Sequence, residues 1–328
     1  MNYKFLVTGA TGFIGKRVVA LLLEKNIEVV ATDIKVEEIR ESFTDYLKSK
    51  DVNDKKYLLT ELDVSSNKNI KEVLSDANIT HIIACGYQMS NMIDANPIRA
   101  SEINIIGLAN LFESVANYKI QKMIFPSSQS VYGNTQNIYG NKAVHEDDYC
   151  GLQHQSFTYA VMKLLNEYMG QKYIDKYGVN IACTRPSVVY GYGRKRSSLM
   201  WAEDFATLPA LGKPVQLPFP EDNKDNFIYV EDCAEQMIQL SLKENLNHYT
   251  YNTGSETVSG LQLKSILKEL IPSAEITFNN NAEYTPFIDD QDDSRIRKEI
   301  SFVPRSLKEG IKAHINEARK NNNLEQIT

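Results

Sequence analysis

Apolar residues recur along the first half of the chain in two alternating rhythms. Short runs rich in β-branched and other apolar residues fill positions 3–8, 27–32, 80–85 and 122–126. Between them, positions 14–25, 70–77 and 97–117 carry apolar residues three and four apart. Near-continuous apolar strands alternating with amphipathic helices predict βαβ units, and so a parallel sheet covered on both faces. A further helix over 157–177 leads into a strand over 180–184.

The texture changes after Arg185-Pro186. Positions 190–226 are interrupted by Gly191, Gly193, Gly212, Pro214, Pro218 and Pro220, and this stretch reads as loop-rich. A strand over 226–230, a helix over 231–242 and a strand over 249–252 resume the alternation. From Ser259 the pattern predicts a helix, a short strand over 275–278, an acidic loop and a final polar helix ending at Asn321-Asn322-Asn323. The expected fold class is α/β, a Rossmann-type doubly wound parallel sheet with a small C-terminal α/β substrate lobe. Residues 1–185 plus about 225–254 are expected to form the dinucleotide-binding domain, and about 186–224 plus 255–328 the substrate-binding lobe.

The 328 residues are 42% hydrophobic and 24% charged, an ordinary globular balance with enough apolar material for a covered sheet. A net charge of −6 argues against a surface that wraps nucleic acid, and the run Arg194-Lys195-Arg196 is too short to change that. Cys85, Cys150, Cys183 and Cys233 are scattered, with no CxxC or Cys/His ligand spacing, so no metal is expected. Their scatter suits a reducing compartment. No stretch approaches about 18 apolar residues, and Met1-Asn2-Tyr3-Lys4 leads straight into a strand, so no membrane partner and a cytoplasmic location are expected.

The candidate chemistry begins at Thr8-Gly9-Ala10-Thr11-Gly12-Phe13-Ile14-Gly15, which follows the first strand and opens the first helix. A pyrophosphate there needs a tight turn, close backbone approach and amide donors at a helix N-terminus, and Gly9, Gly12 and Gly15 meet those needs. The plain alternative is a strand-to-helix turn with no ligand. Asp33 closes the second strand 18 residues beyond Gly15, where an acid bonds the adenosine ribose hydroxyls. It would repel an extra phosphate on that ribose by about 4 kcal/mol at ~4 Å and an effective dielectric of 20. Lys35 offsets part of this, and NAD is chosen over NADP. Asp63-Val64 ends the third strand, placed to reach the adenine, although Asp after a strand is also common turn chemistry.

An alcohol oxidised by NAD must lose a proton as its hydride leaves, so a base must reach the hydroxyl. Tyr159 and Lys163 lie four residues apart, about 40° around one helix face. A neighbouring ammonium lowers the phenol from ~10 at ~1.4 kcal/mol per unit, so neutrality asks about 4 kcal/mol from Lys163 and the cationic nicotinamide together. The same spacing occurs at Tyr46/Lys50, Tyr118/Lys122 and Tyr168/Lys172, so spacing alone decides nothing. Only Tyr159/Lys163 comes shortly after a strand ending in Pro126-Ser127-Ser128, which puts Ser128 at the ligand-binding end of a parallel sheet. Its hydroxyl can hold the substrate oxygen in both protonation states. A surface Tyr/Lys pair and a capping Ser is the plain alternative.

Together these residues resemble the extended short-chain dehydrogenase/reductase family, the NAD-dependent epimerase/dehydratase group. The likeness runs through Ala84-Cys85-Gly86, Glu102-Ile103-Asn104, Ser127-Ser128-Gln129-Ser130-Val131-Tyr132-Gly133 and Tyr159/Lys163. It continues through Arg185-Pro186 with Val189-Tyr190-Gly191, Asn226 to Asp232, Tyr251-Asn252-Thr253-Gly254, and Asp293-Ser294-Arg295 leading to Phe302-Val303-Pro304. The resemblance implies that Ser128, Tyr159 and Lys163 are catalytic and that Lys163 also bonds the nicotinamide ribose. It implies that Ala84, Cys85, Gly86 and Asn104 line the cofactor, and that the segment Pro186-Ser187-Val188 borders nicotinamide and substrate. Ser128, Gln129, Ser187 and Arg194 are then the expected substrate contacts. In the family, the outer faces of two helices pair across a two-fold. Helices 97–117 and 157–177, with Leu108, Leu111, Phe112, Val115, Val161, Leu164 and Leu165, therefore suggest a homodimer, unless core packing accounts for them.

Departures narrow the activity. Dehydratases of the family place an Asp-Glu pair at the serine region, whereas Ser128-Gln129 offers no acid. Val188 stands where sugar-nucleotide epimerases usually have Asn, and Asp225-Asn226-Phe227 replaces their Arg-Asp-Phe, so a UDP-sugar is a doubtful substrate. The leading expectation is an NAD-dependent oxidoreductase taking hydride from a secondary alcohol of a sugar-like or polyol substrate. An NAD-retaining sugar or nucleotide-sugar epimerase is the alternative. A non-catalytic NAD-binding regulatory protein is the third reading; its mark would be loss of the Tyr or the Lys, and both are present.

Overall fold

The computed structural model describes residues 3–52, 54–148, 151–194 and 199–328. Cys150, Lys195 and Arg196 lie outside the described residues. In chain order come β1 (Lys4–Thr8), α1 (Gly15–Glu24), β2 (Glu28–Asp33), α2 (Val36–Ser49), β3 (Tyr57–Glu61), α3 (Asn67–Ala77) and β4 (His81–Ala84). They are followed by α4 (Ser90–Ala95), α5 (Pro97–Ser101), α6 (Leu108–Asn117), β5 (Lys122–Pro126), α7 (Thr158–Tyr177) and β6 (Ile181–Pro186). The remainder is β7 (Val188–Tyr190), α8 (Trp201–Ala210), β8 (Val215–Leu217), β9 (Lys224–Tyr229), α9 (Val230–Leu242), β10 (Thr250–Thr253), β11 (Glu256–Ser259), α10 (Gly260–Leu270), β12 (Ile276–Phe278), α11 (Ser294–Glu299) and α12 (Leu307–Lys320).

The chain divides into two compact units. The first holds Met1–Ser127, Phe157–Arg185 and Ala234–Tyr251. Its sheet runs in the order β10-β6-β5-β4-β1-β2-β3. Strand β1 pairs in parallel with β2 and β4, β2 with β3, β4 with β5, and β5 with β6. Strand order reverses at β1, so the crevice beyond the carboxyl ends of β1 and β4 is the switch point where such sheets bind ligands. Register aligns Leu6 with Val30 and Ile82, and Ile82 with Met123. Those four pack with Ile70 and Leu74 of α3 and Leu108, Leu111, Phe112 and Val115 of α6 in one buried cluster.

The single helix expected over 97–117 is instead α5, a π-helical turn over Glu102–Gly107, and α6. At its far end, a Cβ on Gly107 would lie 2.6 Å from Val64 Cγ2, so only a glycine allows this approach. Within the wider turn, the Asn104 carbonyl accepts a bond from Asn166 Nδ2 at 3.0 Å. Positions 36–49, to which the sequence pattern assigns no element, form α2; only Val36, Phe43 and Leu47 of it are buried, too sparse a stripe to show as a period.

The second unit holds Ser128–Ser156, Pro186–Cys233 and Asn252–Thr328, so 128–156, 225–233 and 252–254 group here rather than with the sheet domain. It contains a three-stranded sheet, β11-β9-β7, and a two-stranded one, β12-β8. The stretch expected to be loop-rich holds α8, ten residues long. Its breakers sit at its end: Pro209 in the last turn and Gly212 beyond it at φ 70°. Trp201, Ala202, Phe205, Ala206 and Ala210 are all buried on one face, and Glu203 and Thr207 are buried beside them, so the period is masked by Pro209 and by polar residues that do not face solvent. Among the described residues, no helix is long and apolar enough to cross a membrane, and no three His, Cys, Asp or Glu cluster as metal ligands.

Candidate functional site

The glycine loop leaves β1 and turns at once against the segment that follows β4. Gly9 has φ +61°, and a Cβ there would lie 2.6 Å from Gly86 N and 2.8 Å from the Cys85 carbonyl carbon. A Cβ on Gly15 would lie 2.0 Å from Gly9 O. No side chain fits at either position, so backbone forms the floor at this point. Helix α1 starts at Gly15 with no side-chain cap, so the positive end of its dipole follows directly on the loop, while Lys16 N and Arg17 N donate to Gly12 O and Ile14 O. This cradle fits a dinucleotide pyrophosphate.

Asp33 braces the loop. Its Oδ2 accepts from Thr11 N at 3.1 Å and Thr11 Oγ1 at 2.5 Å, and its Oδ1 accepts from Ile34 N at 2.9 Å. The carboxylate stays half-exposed, with lone pairs to spare for a ribose hydroxyl. Asp63 lies two residues beyond β3 and is held by Ser65 and, at 2.5 Å, by Arg99 Nη2. Burial works to raise its pKa, but the bonds from Ser65 and Arg99 win and hold the carboxyl below the usual range. Val64 is buried and its carbonyl accepts from Asn110 Nδ2 at 3.0 Å.

Helix α7 carries Tyr159 and Lys163. Lys163 is buried, and its Nζ donates to the carbonyl of Pro126, the last residue of β5, at 2.6 Å. The same Nζ lies 5.5 Å from the Tyr159 ring centroid and 3.4 Å from that of Tyr87. Burial pulls the ammonium down to about 7, partly opposed by Cys85, Glu167 and Cys183. Burial pushes the Cys85 thiol up to about 12, with Lys163 pulling the other way. Asn104 is fully buried, with Oδ1 accepting from Gln88 N at 2.8 Å and Nδ2 donating to Gln88 O at 3.0 Å. Gly9, Gly15, Cys85 and Gly86 thus come together, as do Tyr159 and Lys163.

Ser128, Gln129, Pro186, Ser187, Val188 and Arg194, also expected at the site, belong to the second unit. Ser128 is extended and its Oγ accepts from Ser130 N at 3.2 Å. Gln129 is buried with Oε1 unpartnered. Pro186 ends β6, Ser187 N donates to Thr253 O at 3.0 Å, and Ser187 Oγ is buried and unpartnered. Val188 is buried in β7 opposite Phe227. Arg194 folds back, with Nη1 donating to the Val189 carbonyl.

Two residues escaped the sequence reading. Tyr87 directly follows Ala84-Cys85-Gly86, and Asn166 lies three residues past Lys163 on the same helix. A fully buried Asn in a helix interior is the signal that was there to find, since its amide needs a partner.

A model of the NAD dependent epimerase/dehydratase family matches residues 5–254. UDP-glucuronate 4-epimerase of Thermodesulfobacterium geofontis is 27% identical over 333 residues, covering 98% of this chain and 97% of that one. The fold is similar to that of L-threonine dehydrogenase from Clostridium difficile, with TM-score 0.81 and 20% identity over 98% of this chain and 99% of that one. It is also similar to UDP-glucuronic acid 4-epimerase from Bacillus cereus, solved with UDP-glucuronic acid and NAD: TM-score 0.77, 23% identity, 97% and 99% covered.

Proposed function

The chain belongs to the NAD dependent epimerase/dehydratase family, and on that premise we propose that it oxidises a secondary alcohol of a sugar-like or polyol substrate. NAD, when bound, supplies the acceptor for the hydride. The observation that carries the reading is Lys163, a buried ammonium fixed to the end of β5 beside Tyr159. The Tyr159 phenolate, the ionised form that Lys163 favours, takes the proton from the substrate hydroxyl and becomes the phenol, and Ser128 holds the substrate oxygen. Gly9, Gly12, Gly15 and the start of α1 hold the pyrophosphate, Thr11, Phe13 and Ile14 border it, and Asp33 accepts from the adenosine ribose.

A substrate without a diphosphate is favoured by Asp225, which stands where UDP-sugar enzymes carry a cation. It is buried, and burial raises its carboxyl to about 7 despite bonds from Thr285 and Asn223. The near-full-length likeness to a UDP-glucuronate 4-epimerase favours the second reading, a cofactor-retaining epimerase. Incubation with NAD and a panel of polyols, sugars, sugar acids and nucleotide sugars separates the two. Growth of absorbance at 340 nm supports oxidation; an isomerised product with NAD co-purifying supports epimerisation. In either case Tyr159→Phe should lower turnover about a thousandfold while NAD affinity stays within a few-fold. A variant as active as the parent removes the assignment.

A homodimer in the cytoplasm completes the proposal. Leu108, Leu111, Phe112 and Val115 are core residues, but Val161, Leu165 and Tyr168 leave an apolar strip exposed on α7. Cys85, Cys183 and Cys233 are free thiols. Leu165→Glu should convert a dimer to monomer in sedimentation.

A further inference from the structure

The geometry points to Tyr87, oriented by Asn166, as the positioning residue that keeps the Lys163 ammonium in place and charged beside Tyr159. This rests on the proposed hydride-transfer reading. The ring of Tyr87 lies 3.4 Å from Lys163 Nζ, and it meets the Tyr159 ring edge-to-face at 5.7 Å and 88°. One aromatic ring therefore touches both partners of the reacting pair. Asn166 Nδ2 donates to Tyr87 Oη at 3.1 Å and to Asn104 O at 3.0 Å. Asn104 in turn grips both backbone groups of Gln88. The segment carrying Tyr87 is thus held at its side chain and at the next residue.

The other groups facing Lys163 explain why a ring is needed. Cys85 after β4 and Cys183 in β6 are thiols that burial pushes up, so both are neutral. Glu167, one turn along α7, is a carboxylate already engaged by Arg185 at 3.0 and 2.6 Å. The Pro126 carbonyl takes one of the three ammonium protons. Tyr159 gains a negative charge only when it ionises. Beside the more distant pull of Glu167, the negative face of the Tyr87 ring is then a standing attraction in direct contact with this cation, and in a desolvated place such a contact is at its strongest. Burial works to neutralise the amine; the ring works to keep it charged.

The test uses the full chain labelled with [13Cζ]tyrosine and [15Nζ]lysine, with signals assigned through Tyr159→Phe and Lys163→Met. In Tyr87→Leu the Lys163 midpoint should fall by about one pH unit, a tenfold change, and the Tyr159 midpoint should rise. Tyr87→Phe keeps the ring and should hold both midpoints near those of the parent. Asn166→Leu, which frees the ring to tilt, should fall between. Unmoved midpoints in a folded Tyr87→Leu protein, or equal shifts in the Phe and Leu variants, overturn the inference. Should Tyr87→Leu not fold, the parent decides alone: the ε-methylene protons of Lys163 must show an upfield ring-current shift, and ordinary shifts overturn the inference. NAD binding by the parent is measured separately. Its loss would strike the proposed function while leaving the titrations readable.

Discussion

Strand β5 has a buried lysine at each end, and the two are used differently. Lys122 opens the strand and donates to the carbonyls of Leu240, at 3.4 Å, Lys243, and Glu244, at 3.3 Å. Its three protons meet three acceptors at the C-terminal end of a helix, where a cation is favoured. Lys163 reaches the far end of the same strand and finds one carbonyl and a ring face. At the amino end of β5 the lysine's hydrogen-bonding capacity is consumed; at the carboxyl end it is held back. Spare donor capacity in a buried cation is what a ribose hydroxyl and an ionising phenol can use.

Exchanging the roles of the two lysines gives the largest expected effects. Lys163→Met should cut turnover about a thousandfold with little loss of thermal stability, since it removes a buried charge with one hydrogen bond. Lys122→Met should do the reverse, costing about 3 kcal/mol in denaturant titration by stranding three carbonyls, with activity per folded molecule kept. If both variants lose activity and stability alike, the contrast between the ends is wrong.

A pH titration sharpens the amino-end side. His81 is buried, stacked on Phe5 at 4.8 Å, and burial together with the Lys122 charge pushes it down to about 4. The unfolded chain binds this proton near pH 6.5 while the folded chain refuses it. The contribution of His81 is therefore whole above about pH 6.5 and is lost as pH falls towards 4, about 3 kcal/mol in all. His81→Phe should flatten that part of the stability profile, as measured by urea unfolding between pH 7 and 4. A profile parallel to the parent's would place the acid sensitivity elsewhere.

The smallest effect belongs to cofactor choice. Asp33→Ala removes both the repulsion of a 2′-phosphate and the brace on Thr11, so NAD binding should weaken about tenfold while NADP binding improves. Affinity for NADP that stays negligible would mean that another residue sets the preference.

The parallel sheet, the glycine loop and the Tyr159/Lys163 pair were legible because each rests on a local rule: a period of hydrophobicity, a backbone that tolerates no Cβ, a helical spacing. The π-helical turn was not legible, because the approach of Gly107 to Val64 and the bond from Asn166 to Asn104 join residues 43 and 62 positions apart. Tyr87 escaped notice because the group its ring faces is a lysine 76 positions away. Helix α8 was hidden because it is short, carries Pro209 in its last turn and buries the polar Glu203 and Thr207 along with its apolar face. The second unit is built of short strands and bonds between distant loops, so the substrate contacts expected there rest on resemblance and not on pattern.

The widened turn at Glu102–Gly107 also acts as a phase shift. A π-turn spends one residue more than an α-turn, so α6 is rotated by roughly 100° from where an unbroken helix would carry it. That offset lets Leu108, Leu111 and Phe112 point into the core while Ile98 and Ile106, on the preceding stretch, face outward at 76% and 51% exposure. Deleting one residue within the turn would reset the helix like a gear moved by one tooth, carrying core leucines to the surface and the Asn104 carbonyl away from α7.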